Sequence, residues 1–387
     1  MNKKELELYI HIPFCVRKCS YCDFLSAPAT EQTREAYMAA LFAEIGGRAK
    51  DYSDRTVTSI FIGGGTPSLL SGEQIGQLMD RIREQFAIAQ DAEITMEVNP
   101  GTASAEKLRN FYTAGINRLS IGMQSAQAEE LKNLGRIHDF EGFCQVYREA
   151  VEAGFTNINV DVMSGLPGQT LASYRDTLEK VLHLEPMPQH ISAYSLIVEE
   201  GTPFAAMAER GELPLPEEET ERAMYEETIE VLAKYGFHRY EISNYARDGY
   251  ECRHNVGYWI RRDYLGFGIG AASLIDNVRF QNEKSLGAYL AHPLESREEE
   301  QTLTVQDRME ETMFLGLRLT RGVSCVDFAE QYGRTVEEVY GEVIARNVAD
   351  GLLTVTERKE NQKKDRFLAL TKRGLDLSNY VMAQFLF

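Results

Sequence analysis

Three thiols fall within eight residues, Cys15-Val16-Arg17-Lys18-Cys19-Ser20-Tyr21-Cys22, close behind the alternating apolar stretch Glu5–Ile12. The segment is short and follows Pro13, so it reads as a loop that wraps its sulfurs around one object. Thiolates are soft donors that suit zinc or an iron–sulfur cluster. A structural zinc site wants a fourth ligand, usually from a second CxxC or a His pair, and none follows at that spacing. On a four-iron cluster, three cysteines leave one iron open to a small molecule. At this point zinc and three ordinary thiols remain as alternatives.

Other residues of chemical interest follow at intervals. Gly63-Gly64-Gly65-Thr66-Pro67 lets a backbone approach a ligand closely, because no Cβ intervenes; it also suits a tight turn. Glu97 can accept a hydrogen bond, pair with a cation or face water. Gln124 and Arg136 frame a helical or turn segment, and a guanidinium fork matches a carboxylate. Asp161 lies among Val160, Val162 and Met163 and needs polar partners there. Ribose hydroxyls or a structural salt bridge would serve.

The elements that must position these residues alternate. Strands are expected at Glu5–Ile12, Val57–Ile62, Glu93–Val98, Arg118–Gly122, Asn157–Met163 and His190–Leu196. Helices are expected at Arg34–Tyr52, Ser71–Phe86, up to about Ala114, Asp139–Ala153 and Leu171–Leu184. Strand–helix alternation argues for a parallel sheet with helical crossovers. The cysteine loop, the glycine run, Glu97, Gln124 and Asp161 all fall at or near C-terminal strand ends, where barrel sites are built. Five strands feeding one site favour a curved sheet, so the fold class is α/β, a partial (β/α)6 barrel. From about Pro214 the pattern changes. Glu217–Tyr235 reads as an acidic helix, Arg239–Asn244 as a short strand, and Arg253–Trp259 as a loop. Three helices from Asp307 to Asp350, a strand at Phe367–Leu370 and a closing helix over Lys372–Phe387 suggest a C-terminal α+β winged-helix-like unit. The charged run Glu357–Asp365 is expected to be a solvated hairpin tip. The domains implied are residues 1–213, 214–303 and 304–387.

A chain of 387 residues with 43% hydrophobic content can fill a barrel and a smaller module. Its net charge of -18 argues against general nucleic-acid binding, which needs clustered cations. No apolar run reaches membrane-spanning length, and no signal peptide is expected. The six cysteines, Cys15, Cys19, Cys22, Cys144, Cys252 and Cys325, are clustered and scattered in a metal-site pattern, not a disulfide framework. A cytoplasmic protein is expected.

The CxxxCxxC spacing resembles the cluster motif of the radical S-adenosylmethionine (SAM) superfamily. The resemblance implies a [4Fe-4S] cluster on Cys15, Cys19 and Cys22, with SAM on the open iron and cleavable to a 5'-deoxyadenosyl radical. Tyr9-Ile-His-Ile-Pro-Phe-Cys15, Gly63–Pro67, Glu97-Val-Asn-Pro100, Gly122-Met-Gln124, Arg136, Asp161 and Gly165-Leu-Pro-Gly168 together resemble the oxygen-independent coproporphyrinogen III oxidase (HemN) family. By that resemblance Tyr9, Phe24, Gly64, Gly65, Thr66, Glu97, Gln124, Arg136, Asp161 and Ala272 bind the cofactor.

Two departures stand out. The oxidase pattern continues as CxxxCxxCxC, whereas here Cys22-Asp23-Phe24 lacks the fourth thiol. The first strand begins almost at the first residue, so the oxidase's N-terminal extension is expected to be absent, and an uncovered site would admit water. Both features, with His254-Asn255-Val256-Gly257-Tyr258-Trp259 as an HNxxYW motif, are similar to a sister group of heme chaperones. That resemblance implies heme as cargo and apo-hemoprotein clients such as respiratory cytochromes. It also allows a homodimer and at most peripheral association with the inner face of a membrane. Imidazole is a common heme ligand, and Tyr258 and Trp259 offer flat apolar surface, so His254 is the candidate ligand, with Cys252 and His238 as rivals. The competing readings are a working coproporphyrinogen oxidase and a non-catalytic metal or thiol interaction protein.

Overall fold

The computed structural model describes residues 4–295, 297–360 and 363–387. The first three residues, and positions 361–362 of the charged run, lie outside the described residues.

The first half alternates as the apolar pattern requires. It runs β1 (Lys4–Ile12), α1 (Glu31–Arg48), β2 (Arg55–Gly64), α2 (Gly72–Gln85), β3 (Ala87–Val98), α3 (Ala105–Thr113), β4 (Arg118–Gln124), α4 (Ala128–Leu134), α5 (Phe140–Glu152), β5 (Ile158–Ser164), α6 (Leu171–Leu182) and β6 (His190–Ser195). Starts are set by side-chain caps. Ser71 and Gln74 form a reciprocal capping box on α2, and the Asp139 carboxylate accepts from Gly142 N at the start of α5. Each cap satisfies backbone donors that the first turn leaves free. Strand β3 begins at Ala87, earlier than its apolar run. Its first residues, Ala87 to Asp91, are exposed or half-buried, and Ala87 and Ile88 pair with β2 ahead of a register shift.

Strands β1 to β6 pair in sequence order and in parallel, so their C-terminal ends share one rim. The sheet does not close, as expected for a partial barrel. Both of its edges are longer than expected. After α7 (Pro203–Glu209) and α8 (Glu218–Lys234), β8 (Asn244–Ala246) adds antiparallel to β6, and β7 (His238–Arg239) adds antiparallel to β8. The strand expected over Arg239–Asn244 is therefore two short pieces flanking a break. Beyond α9 (Arg253–Trp259), β9 (Tyr264–Phe267) pairs parallel to β1. Strands β10 (Ala272–Ile275), β11 (Val278–Asn282) and β12 (Arg297–Thr302) continue that edge antiparallel, with α10 (Leu286–Ala291) between the last two.

The remainder is α11 (Val305–Gly316), β13 (Val323–Ser324), α12 (Cys325–Tyr332), α13 (Val336–Ala349), β14 (Leu353–Glu360), β15 (Lys363–Leu370), α14 (Lys372–Asp376) and α15 (Ser378–Ala383). Its three-stranded sheet and helices give the α+β module expected, with its own apolar cluster around Met313, Phe328, Leu368 and Phe385. Two expectations need correction. The closing helix is broken into two short ones. The run Glu357–Asp365 is largely paired strand, with Glu357 opposite Arg366 and Arg358 opposite Asp365; alternating opposite charges stabilise such cross-strand neighbours. Between module and barrel, the buried carboxylate Glu311 of α11 receives Arg261 Nε at 2.8 Å and Arg279 Nη2 at 2.7 Å.

Candidate functional site

The loop after β1 is pinned by backbone bonds. Cys15 N donates to Ala27 O, Ser20 N to Leu134 O and Phe204 N to Ser20 O, so the cysteines are gripped between their own loop, α4 and α7. All six cysteines are free thiols. Cys15, Cys19 and Cys22 border one cavity of about 530 Å3 at the C-terminal rim of the sheet. Thr66 Oγ1 donates to Cys15 Sγ at 3.4 Å and Arg136 Nη1 to Cys19 Sγ at 3.9 Å. Hydrogen bonds onto sulfur suit ligating thiolates. The donor set fits a cluster with one open corner.

The glycine run is required by protein packing. Gly64 has φ +109°, and a Cβ there would lie 2.5 Å from the His11 ring. A Cβ at Gly65 would lie 2.7 Å from Phe14 O and 2.9 Å from Ile12 O. These glycines let β2 run against the cysteine loop, with Gly65 N bound to Ile12 O and Thr66 N to Phe14 O. Gly64 N donates to Glu97 Oε2 at 3.0 Å. Burial, with Asp161 beside it, pushes the Glu97 carboxyl up to about 8. Asp161 is raised too, mainly by burial, and its Oδ1 accepts from Asn159 Nδ2 at 2.7 Å and Ser120 Oγ at 3.4 Å.

Strand β4 ends in an irregularity. The register slips between Gly122 and Gln124, and Gln124 sits in the left-handed region at φ +69°. Non-glycine residues seldom occupy that region without a functional reason. The bulge re-aims the amide, which accepts from Tyr194 OH at 2.9 Å through Oε1. Arg136 follows α4 directly after Gly135, a left-handed cap, and donates Nη2 to Gly122 O at 2.7 Å.

The cavity thus gathers the three cysteines, Phe24, Gly64, Gly65, Thr66, Glu97, Gln124, Arg136 and Asp161. Tyr9, Ala272 and His254 do not border it. Tyr9 hydrogen-bonds His11 Nδ1 at 3.0 Å and stacks on Phe61, and Ala272 is exposed at the start of β10, between β9 and β11. Phe24 is 61% exposed at the cavity lip. Several bordering residues carried no sequence signal: Tyr21, Arg118, Asn159, Ser192, Tyr194 and Asn244. Asn255 belongs to the HNxxYW motif but was not singled out.

That motif is a helix, α9, and not the loop expected. A seven-residue element shows too little periodicity to read, and its start is fixed by a distant group. Glu93 of β3 accepts from Arg253 N at 3.1 Å, His254 N at 3.2 Å and Cys252 Sγ at 3.5 Å. A carboxylate at a helix N-terminus is favourable. His254 is buried, with Nδ1 3.8 Å from a Glu7 carboxylate oxygen and 2.8 Å from Ser59 Oγ, Nε2 3.0 Å from Tyr258 OH, and its ring stacked on Phe61. Both nitrogens are engaged inside the protein. Burial, with Arg118 and Arg262 nearby, lowers it to about 3.

Glu7 is raised from 4.5 to about 8 by burial, partly offset by Arg262. Between those values the folded state keeps a proton that the unfolded chain has lost, so this stabilisation is full at low pH and fades as pH rises through 8. His254 acts oppositely, costing stability as pH falls below its ordinary 6.5. The Glu7 slope is therefore clearest above pH 6.5. Glu7→Gln is expected to flatten the stability of the apo protein between pH 6.5 and 8, where wild type falls by up to about 2 kcal/mol more than the variant. Urea unfolding across that range measures it; parallel profiles for the two proteins would refute the assignment.

Comparison with known proteins agrees with this geometry. The Radical SAM superfamily model matches residues 9–181 and the HemN C-terminal domain model matches residues 303–377. A heme chaperone HemW of Bacillus subtilis (strain 168) is 38% identical over 385 residues, covering 98% of both chains. That of Escherichia coli (strain K12) is 37% identical over 358 residues, covering 90% of this chain and 92% of its own. The solved coproporphyrinogen III oxidase (HemN) from Escherichia coli superposes with a TM-score of 0.84 at 28% identity, over 99% of this chain and 90% of that one. With relatives matched almost end to end above the level at which families diverge, the chain belongs to the HemW family of radical SAM proteins.

Proposed function

We propose that this protein binds heme and passes it to apo-hemoproteins, on a scaffold that holds a [4Fe-4S] cluster and SAM. The end-to-end likeness to the Bacillus subtilis heme chaperone, 38% identical over 98% of both chains, carries the reading. The open cavity lip supports it: Phe24 stands where the oxidase pattern has a fourth thiol.

Cys15, Cys19 and Cys22 would hold the cluster, which when bound supplies one electron to a sulfonium cofactor. Thr66 and Arg136 donate to the sulfurs and keep them aimed. Glu97 and the Gly64–Thr66 backbone would take the amino-acid end of SAM. Gln124, held by Tyr194, and Asp161, held by Asn159, would take its polar groups. Tyr9 and Ala272 contribute from outside the cavity by shaping β1 and the start of β10. We divide the chain into residues 1–213 for this scaffold, 214–303 for the edge and HNxxYW segment, and 304–387 for the C-terminal module.

His254 ligates heme iron, in this reading, only when its bonds to Ser59 and Tyr258 open. Clients such as respiratory cytochromes, a cytoplasmic location, homodimer formation and peripheral membrane docking complete the proposal. Among the described residues no helix is long and apolar enough to cross a membrane.

The likeness to the solved oxidase favours one second reading, oxidative decarboxylation of coproporphyrinogen III. A paired titration separates them. Heme is added to reconstituted wild type and His254→Ala, with methionine release followed under dithionite in the same tubes. The chaperone reading expects heme affinity to fall at least tenfold in the variant, with no methionine release tied to porphyrinogen. Coproporphyrinogen-dependent SAM cleavage with protoporphyrinogen formation would establish the oxidase instead.

A further inference from the structure

Below the residues assigned to cluster and SAM, the cavity has a floor of different character. Arg118 opens β4, while Gln124 closes it, and both side chains border the cavity. Arg118 is only 2% exposed, yet among the described residues its guanidinium has no hydrogen-bond or ion-pair partner, and its Nε is buried and unsatisfied. Arg136, by contrast, is committed to Gly122 O and Cys19 Sγ.

The acids whose field reaches Arg118 are engaged elsewhere. Glu93 caps α9, and Asp161 accepts from Asn159 and Ser120. The cavity lining includes Asp161, whose charge reaches the guanidinium without a hydrogen bond to it, and the neutral groups Ser120, Asn159, Ser192, Asn244 and Asn255. Asn244 presents a second unmet need: its Nδ2 donates to Glu241 at 2.6 Å, which leaves Oδ1 buried without a donor. A buried cation without an acceptor is costly, and unsatisfied buried groups facing a cavity call for a partner that fills it.

We propose that this floor is a carboxylate-binding subsite, in which Arg118 takes the anion and Asn244 and Asn255 meet polar atoms beside it. The carboxylate comes from a small organic acid or from a propionate arm of a tetrapyrrole; only the second source rests on the heme reading. Arg118 binds in the fork geometry that a planar carboxylate matches. The subsite lies in the same cavity as the proposed cluster and SAM, so an acid held there would face the cofactor from below.

The test uses the full chain, reconstituted and loaded with SAM. Binding of 13C-labelled propionate is followed by NMR, and binding of heme and of its dimethyl ester by absorbance. Arg118→Gln and Asn255→Asp are compared with wild type; the second places a carboxylate inside the cavity to occupy the guanidinium. Both variants are expected to weaken carboxylate binding at least tenfold. Loss confined to labelled propionate marks a small acid as the ligand. Loss of heme binding, matched by poor binding of the dimethyl ester to wild type, marks a porphyrin propionate. If Arg118→Gln does not fold, Asn255→Asp alone decides. Undiminished binding in a folded variant, or no carboxylate bound by wild type with either probe, leaves the floor to water and overturns the proposal.

Discussion

Serine at Cys15, Cys19 or Cys22 is expected to take bound iron and sulfide, after anaerobic reconstitution, from near-stoichiometric to background. With three protein thiols on the cluster, losing any one leaves only two anchors. The three positions are not equivalent in surroundings, since Thr66 faces Cys15 and Arg136 faces Cys19, but each is required. Cys144→Ser is the matched control, because Cys144 lies on α5 against the outer core and borders no part of the cavity. SAM binding is expected to fall with the iron. Full iron and sulfide in one of the three variants, or their loss in the Cys144 control, would remove the cysteine loop as the cluster site.

Alanine at Gly65 is the second large effect expected. Its Cβ would sit inside the distances allowed to the backbone oxygens of Ile12 and Phe14. These are not flexible side-chain tips; they are the acceptors that tie β2 to the cysteine loop through Gly65 N and Thr66 N. The loop must move as a whole or the strand must shift. A loss of about 3 kcal/mol or more in urea unfolding of the apo protein is expected, with cluster assembly impaired as well. Gly76→Ala offers the contrast. It lies in α2 with open space at its Cβ, so alanine is expected to stabilise by about 0.5–1 kcal/mol. Equal stability of Gly65→Ala and wild type would mean the loop is not packed as described.

The parts of this molecule legible from its sequence are those governed by local pattern. Strand–helix alternation follows from apolar period, and the ends of α2, α5 and α6 from Ser71, Asp139 and Thr170 acting as caps. The cluster loop was legible because its spacing is itself the chemistry. What escaped depends on partners far along the chain. Helix α9 begins where it does because Glu93, some 160 residues away, receives its first N–H groups. Strands β10 to β12 are too short to show a clear alternation, and they are fixed by their ladder partners in the extended sheet. Arg118 looked like the ordinary start of a strand; its isolation appears only when neighbouring carboxylates are seen to be spent on other donors. The glycine run was legible as a close approach, but the approaching body is His11 and the cysteine loop, not a ligand alone.

The Glu311 carboxylate couples two parts of the molecule that sequence divides. Arg261 lies just past α9 and Arg279 on β11, both outside the C-terminal module, and both point at one acid inside it. Arg261 is 4% exposed at its side chain, and a protein truncated near residue 303 would lose the acid that both arginines share and uncover them to water. In the intact chain, removing one partner of such a buried pair, as in Glu311→Ala, costs about 3–5 kcal/mol. The module is thus a clasp between the turn after α9 and strand β11 rather than an appendage, and removing it would loosen that side of the barrel. Heat or denaturant should accordingly open barrel and module in one cooperative transition.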